Sequence, residues 1–169
     1  MRKTKLSETS LIITWFTEGH GKIKTVAKGA RRPRSIFAGK LDLFFEAEIQ
    51  FARNRKSELH ILREAELKNT REGVRKEFQR VQAGSYFVEL MELVTEADHA
   101  VPELFDLLKR ALNYLDTNSP DKRALLHFES ELTRLLGIQN SKDSTPVLAI
   151  GHIYGRLPVS RRDLLAKLR

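Results

Sequence analysis

Four cations stand within eight residues at Lys28-Gly29-Ala30-Arg31-Arg32-Pro33-Arg34-Ser35. Each guanidinium offers a planar fork of N–H donors that matches phosphate oxygens, and lysine adds a compact point charge. The glycine and the proline disfavour regular helix or strand, so the octet is expected as a loop. A basic loop suits a polyanion, but taken alone it suits a solvated turn equally well. Two further features favour the polyanion. If residues 22–28 form a strand, Lys22, Lys24 and Lys28 share one face with Val26 and lead into Arg31, Arg32 and Arg34. The charge is also lopsided: residues 1–56 carry 13 Lys and Arg against 5 Asp and Glu, and residues 57–169 carry 17 of each, so the net +8 belongs to the first third. With a pI near 9.9, nucleic acid is the partner such a balance favours. Phe37, just after the loop, is the candidate for stacking on a base, with burial in a core as the alternative for so large an aromatic.

Other chemistries find no support in the residues. The chain has no cysteine, which excludes disulfides and thiolate zinc sites. Walker-type, GxGxxG, GxSxG and HExxH patterns are missing. His20, His60, His99, His127 and His152 are widely separated and show no metal-ligand spacing. Glu46 and Glu48 would share a strand face, but beside a basic loop they suit a solvated or salt-bridged face better than an acid–base pair. No catalytic residue, metal or cofactor is therefore expected, and the protein is not expected to be an enzyme. No apolar run approaches the ~20 residues a bilayer span needs, and Ser7-Glu8-Thr9-Ser10 stands where a signal peptide would be apolar. A cytoplasmic protein without a membrane partner is the expectation.

The elements that must position the basic loop follow from periodicity. Residues 9–18 read as a strand apolar on both faces, Glu18-Gly19-His20-Gly21 as a hairpin turn, and 22–28 as its return. Leu41, Leu43, Phe45, Ala47, Ile49 and Phe51 alternate strictly, predicting a strand over 41–51. After a polar turn at Arg53–Ser57, Leu59 to Leu67 makes a fourth strand. Four strands with short turns in under seventy residues suggest a small antiparallel barrel or sheet, and barrels of the OB type, which commonly bind single strands in a groove between loops, fit. The period then changes. One long amphipathic helix is expected to about Glu96, a second from Pro102, and a third opened by Ser119-Pro120 and ended by Gly137. Residues 138–146 read as a linker, and the tail ends in a short helix with Leu164, Leu165 and Leu168. The fold class is α+β: an N-terminal OB-fold β-barrel over 1–68, then an all-helical C-terminal domain over 69–169.

Leu6-Ser7-Glu8-Thr9-Ser10-Leu11-Ile12-Ile13, Phe16-Thr17-Glu18-Gly19-His20-Gly21-Lys22 and Val26-Ala27-Lys28-Gly29-Ala30-Arg31-Arg32-Pro33-Arg34-Ser35 together resemble the N-terminal domain of the RecO family of bacterial DNA repair proteins. Ser85–Leu90, Pro102–Phe105, Phe128–Leu132 through Gly137, and Gly155-Arg156-Leu157-Pro158 with Ser160-Arg161-Arg162 are similar to the family's helical part in order and spacing. The resemblance covers nearly the whole chain. It implies a recombination mediator without catalytic chemistry. Such a protein binds single- and double-stranded DNA, anneals complementary strands, and helps load RecA onto DNA coated by single-strand binding protein, with RecR and often RecF as partners. By motif position it makes Lys28, Arg31, Arg32 and Arg34 the DNA contacts, with Lys22 and Lys24 beside them, and nucleoid association while the protein acts. Two departures stand out. The four-cysteine zinc module of many members is replaced here by Gln139 to Pro146. Members also usually carry one more strand before the segment at Arg2–Leu6, so either the start is misplaced or the barrel is one strand short with an open edge. The alternatives are a helical protein–protein adaptor and an OB-fold RNA-binding factor.

Overall fold

The computed structural model describes residues 2–138 and 145–168, divided into two compact units. The first takes residues up to Arg71 together with Thr95–Val101, a return segment drawn from within the stretch 69–169. Five strands build it: β1 (Arg2–Lys5), β2 (Leu11–Thr17), β3 (Gly21–Ala27), β4 (Glu46–Ala52) and β5 (Leu59–Asn69). Their order in the sheet is β1-β2-β3-β5-β4, and the ladder does not close between β1 and β4 among the described residues. All neighbours are antiparallel except β3 and β5, which run parallel with Lys24, Thr25 and Val26 opposite Leu59, His60 and Ile61.

Arg2–Lys5 is itself an edge strand, a fifth where alternation indicates four. Its register against β2 pairs Arg2 with Thr14 and Lys5 with Leu11. All four of its residues are exposed, so no apolar period marks it. The strand expected over 41–51 begins only at Glu46, because Phe44 takes φ 66 and turns the chain. Buried Arg71 locks that turn, donating to the Phe44 carbonyl at 2.7 Å and to the Glu46 carboxylate at 2.6 Å. In β5 the buried residues run His60, Leu62, Ala65. A register shift, with Phe51 opposite Leu62 but Gln50 opposite Glu64, moves the inward face by one residue.

The core of the sheet gathers Ile13, Ala27, Phe37, Leu41, Leu62 and Ala65, with Leu11, Trp15, Ala30 and Ile49 against it. Two members, Phe37 and Leu41, come from the β3–β4 connection. That connection winds through successive turns, Arg32 N–H to Gly29 O, Ser35 N–H to Arg32 O and Ala38 N–H to Ser35 O, and so drops side chains four residues apart onto the sheet.

The second unit holds α1 (Glu72–Lys76), α2 (Phe78–Val94), α3 (Pro102–Thr117), α4 (Lys122–Leu135), α5 (Pro146–Tyr154) and α6 (Ser160–Leu165). The long first helix is thus two helices, broken at Glu77, whose carboxylate accepts from Arg80 and Ser119 at 2.7 Å each. Nor is α2 amphipathic. Tyr86, Phe87, Val88, Leu90 and Met91 are all buried, the signature of a helix wrapped by others. Asp121, not Ser119, caps α4, accepting from Ala124 N–H at 2.7 Å. At its other end Gly137 (φ 66) donates to Arg134 O and Ile138 to Thr133 O, a Schellman closure that the glycine foretold. Residues 139–144, the core of the expected linker, lie outside the described residues. Pro146 opens α5, which sequence periodicity does not indicate. No helix of the described residues is long and apolar enough to cross a membrane.

Candidate nucleic-acid interface

The β2–β3 register decides which way each lysine points. Leu11, Ile13, Trp15 and Thr17 pair with Ala27, Thr25, Ile23 and Gly21 on the core side, so Ile12, Thr14 and Phe16 pair with Val26, Lys24 and Lys22 on the outer side. Parallel pairing then sets Leu59 and Ile61 beside Lys24 and Val26 on that outer face, where Arg63 is also exposed. In OB-folds the face of strands 2 and 3, with the loops joining strands 1–2 and 4–5, is the usual oligonucleotide surface.

The six cations singled out in the sequence separate into two groups. Lys22 is half-buried and committed: its ammonium donates to Thr95 O at 2.6 Å and its carbonyl accepts from Asp98 N–H at 3.0 Å. It holds the return segment against β3. Gly21, with φ 63, belongs to the same junction, since a Cβ there would stand 1.8 Å from the His99 carbonyl. Arg31 is also committed, donating to the carbonyls of Ser7 at 2.9 Å and Glu8 at 3.1 Å, while its own N–H bonds Thr9 O at 3.0 Å. It ties the basic loop to the β1–β2 turn. Lys28, Arg32 and Arg34 are exposed and carry no ion pair among the described residues. Lys24 is exposed too, with only a long 4.0 Å approach to Glu58.

Phe37 is not a stacking platform. It is 4% exposed, within the core cluster, because the turns after Arg34 fold it beneath the sheet. His20, expected as a turn filler, packs edge-on against Phe51 at 5.5 Å. Glu46 pairs with Arg71 and Glu48 with Lys68 at 3.1 Å, so the two carboxylates are salt-bridged separately. Lys68 also bonds Glu66, which lowers the Glu66 carboxyl and raises the Lys68 ammonium.

A second basic element reads in the sequence only as a polar turn. The β4–β5 loop carries Arg53, Arg55 and Lys56, and the parallel β3–β5 pairing sets its Glu58 end beside Lys24. Three cations in four residues are visible in the sequence; their nearness to β3 is not.

The helical unit has a concavity of its own. Phe87 and Phe128, stacked at 4.1 Å, form its floor with Leu107 and Ala111, and Arg110, Arg123 and His127 stand around it. Arg110 is paired with Asp106 at 2.7 Å.

Residues 1–71 match the family described as Recombination protein O N terminal, and residues 75–144 that described as Recombination protein O C terminal. The chain is 35% identical over 137 residues to a DNA repair protein RecO of Rhodopirellula baltica, covering 81% of this chain and 51% of the relative. It is 30% identical over 161 residues to a DNA repair protein RecO of Salinibacter ruber, covering 95% and 62%. The chain therefore spans between about half and three-fifths of the length of these relatives.

Proposed function

The chain belongs to the RecO family of DNA repair proteins, and from that premise we propose that it is a DNA-binding mediator of recombinational repair. It holds single- and double-stranded DNA by the phosphates, anneals complementary strands, and assists the loading of RecA onto DNA coated by single-strand binding protein, in company with RecR and often RecF. The observation that carries this is the set of exposed cations, Lys24, Lys28, Arg32 and Arg34, with the Glu58 end of the β4–β5 loop near Lys24. Phosphate contacts release counterions and carry no base preference, which suits a protein that must accept any strand. Covering both backbones with cations also lowers the repulsion between strands brought together to pair.

The Phe87–Phe128 concavity supports the partner reading. An apolar floor bordered by Arg110, Arg123 and His127, with Asp121 also lining it, fits a peptide that is both apolar and acidic. Arg123→Ala is expected to weaken binding of such a peptide while leaving DNA affinity unchanged.

The decisive measurement is the salt dependence of oligothymidylate binding. Each phosphate contact removed lowers the slope of log K against log[salt] by ~0.7 on single strands, so Arg32→Ala/Arg34→Ala together should lower it by about 1.4. An unchanged slope and affinity would sink the loop assignment. A marked preference for RNA over DNA of the same sequence would favour the RNA-binding alternative. Annealing of complementary strands coated with the cognate single-strand binding protein tests the mediator role itself.

A further inference from the structure

We propose that Asp98 is an internal stand-in for a DNA phosphate, filling an anion site formed by the Arg53 guanidinium and the Nε2–H of His60. The inference rests on the DNA-binding reading above and adds a site and a control to it. Arg53 donates to Asp98 Oδ1 at 3.0 Å. His60 is 2% exposed and stacks on Phe51 at 5.3 Å. The Asn54 N–H bonds its Nδ1 at 3.2 Å, so the neutral ring carries its proton on Nε2. That buried Nε2 has no hydrogen-bond partner, although it points at Asp98 Oδ1 from 3.5 Å. A buried donor left unsatisfied is costly, and here it faces a shallow pocket bordered by Asn54, Arg55 and Ser57.

The carboxylate that occupies the site does so at an unusual backbone position. Asp98 takes φ 54, in the left-handed region, held by its N–H to Lys22 O at 3.0 Å. A phosphate offers more acceptor oxygens than the single Oδ1 that now bonds Arg53 and leaves His60 Nε2 unsatisfied at 3.5 Å, and can reach both donors at once. Glu58 lies on the same pocket and disfavours an anion there, but Lys24 approaches it at 4.0 Å. The Asp98 carboxylate thus competes with DNA for Arg53, and a strand must displace it to engage the β4–β5 loop.

The test is oligothymidylate binding by the full chain across a salt series, comparing wild type, Asp98→Asn, Arg53→Ala/Asp98→Asn and Glu66→Gln. Asn tolerates the left-handed backbone; if that variant does not fold, Asp98→Gly takes its place. Asp98→Asn is expected to bind several-fold more tightly, with the salt slope steeper by ~0.7 for one additional phosphate engaged, and Arg53→Ala should abolish the tighter binding. Affinity and slope unchanged in a folded Asp98 variant would overturn the proposal. So would an increase no larger than that of Glu66→Gln, which removes one negative charge elsewhere, or an increase that survives loss of Arg53. Wild-type binding that still depends on Arg32 and Arg34 would then leave the DNA-binding reading standing, whereas no binding by any variant would sink both.

Discussion

Arg32 and Arg34 in the first unit and Arg161 in the second carry the same side chain into opposite surroundings. The first two project into water and pair with nothing among the described residues. Arg161 meets Glu129 through two bonds, Nε to Oε1 at 2.7 Å and Nη2 to Oε2 at 3.0 Å, and Glu129, fully buried, also accepts from Tyr86 at 2.6 Å. That bonding raises the Arg161 guanidinium further, and burial, then the Glu129 charge, pushes the Tyr86 hydroxyl far above the usual phenol range. The contrast separates a cation kept for a ligand from one used up by the fold. Net charge alone cannot make that distinction, because it counts both alike.

Substitutions can break or sharpen it, beginning with the largest effects. Phe37→Ala should cost about 3–5 kcal/mol, as for a buried aromatic. Urea unfolding followed by Trp15, the chain's one tryptophan, would read it in the first unit. A folded, stable Phe37→Ala that lost DNA affinity would restore the stacking role.

Arg161→Ala leaves Glu129 buried without its counter-charge and should cost about 3–5 kcal/mol, seen as loss of helical circular dichroism at lower urea. Under native conditions DNA affinity should not move.

Tyr86→Phe removes a hydrogen bond to a charged acceptor, about 1.5–3 kcal/mol. It should also change the pH profile. The folded phenol keeps its proton while the unfolded one loses it near its usual value of about 10. The stability Tyr86 contributes is therefore complete below that pH and declines as the pH rises above it. Tyr86→Phe should flatten this alkaline decline in thermal unfolding; an unchanged limb would assign it to other groups.

Arg31→Ala, which frees the β1–β2 turn, should cost about 1 kcal/mol with less change in salt slope than Arg32→Ala/Arg34→Ala. The latter pair should change stability least of all, by less than about 0.5 kcal/mol, while changing DNA binding most. If Arg32 and Arg34 carried stability, or Arg161 carried DNA affinity in a folded protein, the contrast would collapse.

Much is legible in the order of the residues alone. The concentration of charge before residue 57, the β2–β3 hairpin, the start of α3 at Pro102 and the Gly137 closure all follow from neighbours within a few residues. So do the loop at Lys28–Arg34 and the exposure of Lys24, since period-two alternation assigns faces directly. The Arg2–Lys5 strand is hidden because only its backbone is used. The division of labour among the cations is hidden too: nothing adjacent to Lys22 or Arg31 says that one will meet Thr95 and the other the carbonyls of Ser7 and Glu8.

The sequence alone establishes where the positive charge is concentrated and the elements that carry a strong local signal, the β2–β3 hairpin, β5, α3 and α4, because propensity, capping and periodicity are local quantities. The strand β1, the start of β4, the break at Glu77 and α5 lie beyond it. Only the tertiary structure decided that Phe37 belongs to the core, that the Arg53–Lys56 loop lies near Lys24, and that Thr95–Val101 returns to place Asp98 against Arg53 and His60. Those outcomes depend on a parallel strand pairing and on burial shared by residues dozens of positions apart. No short window of sequence contains the partners that settle them.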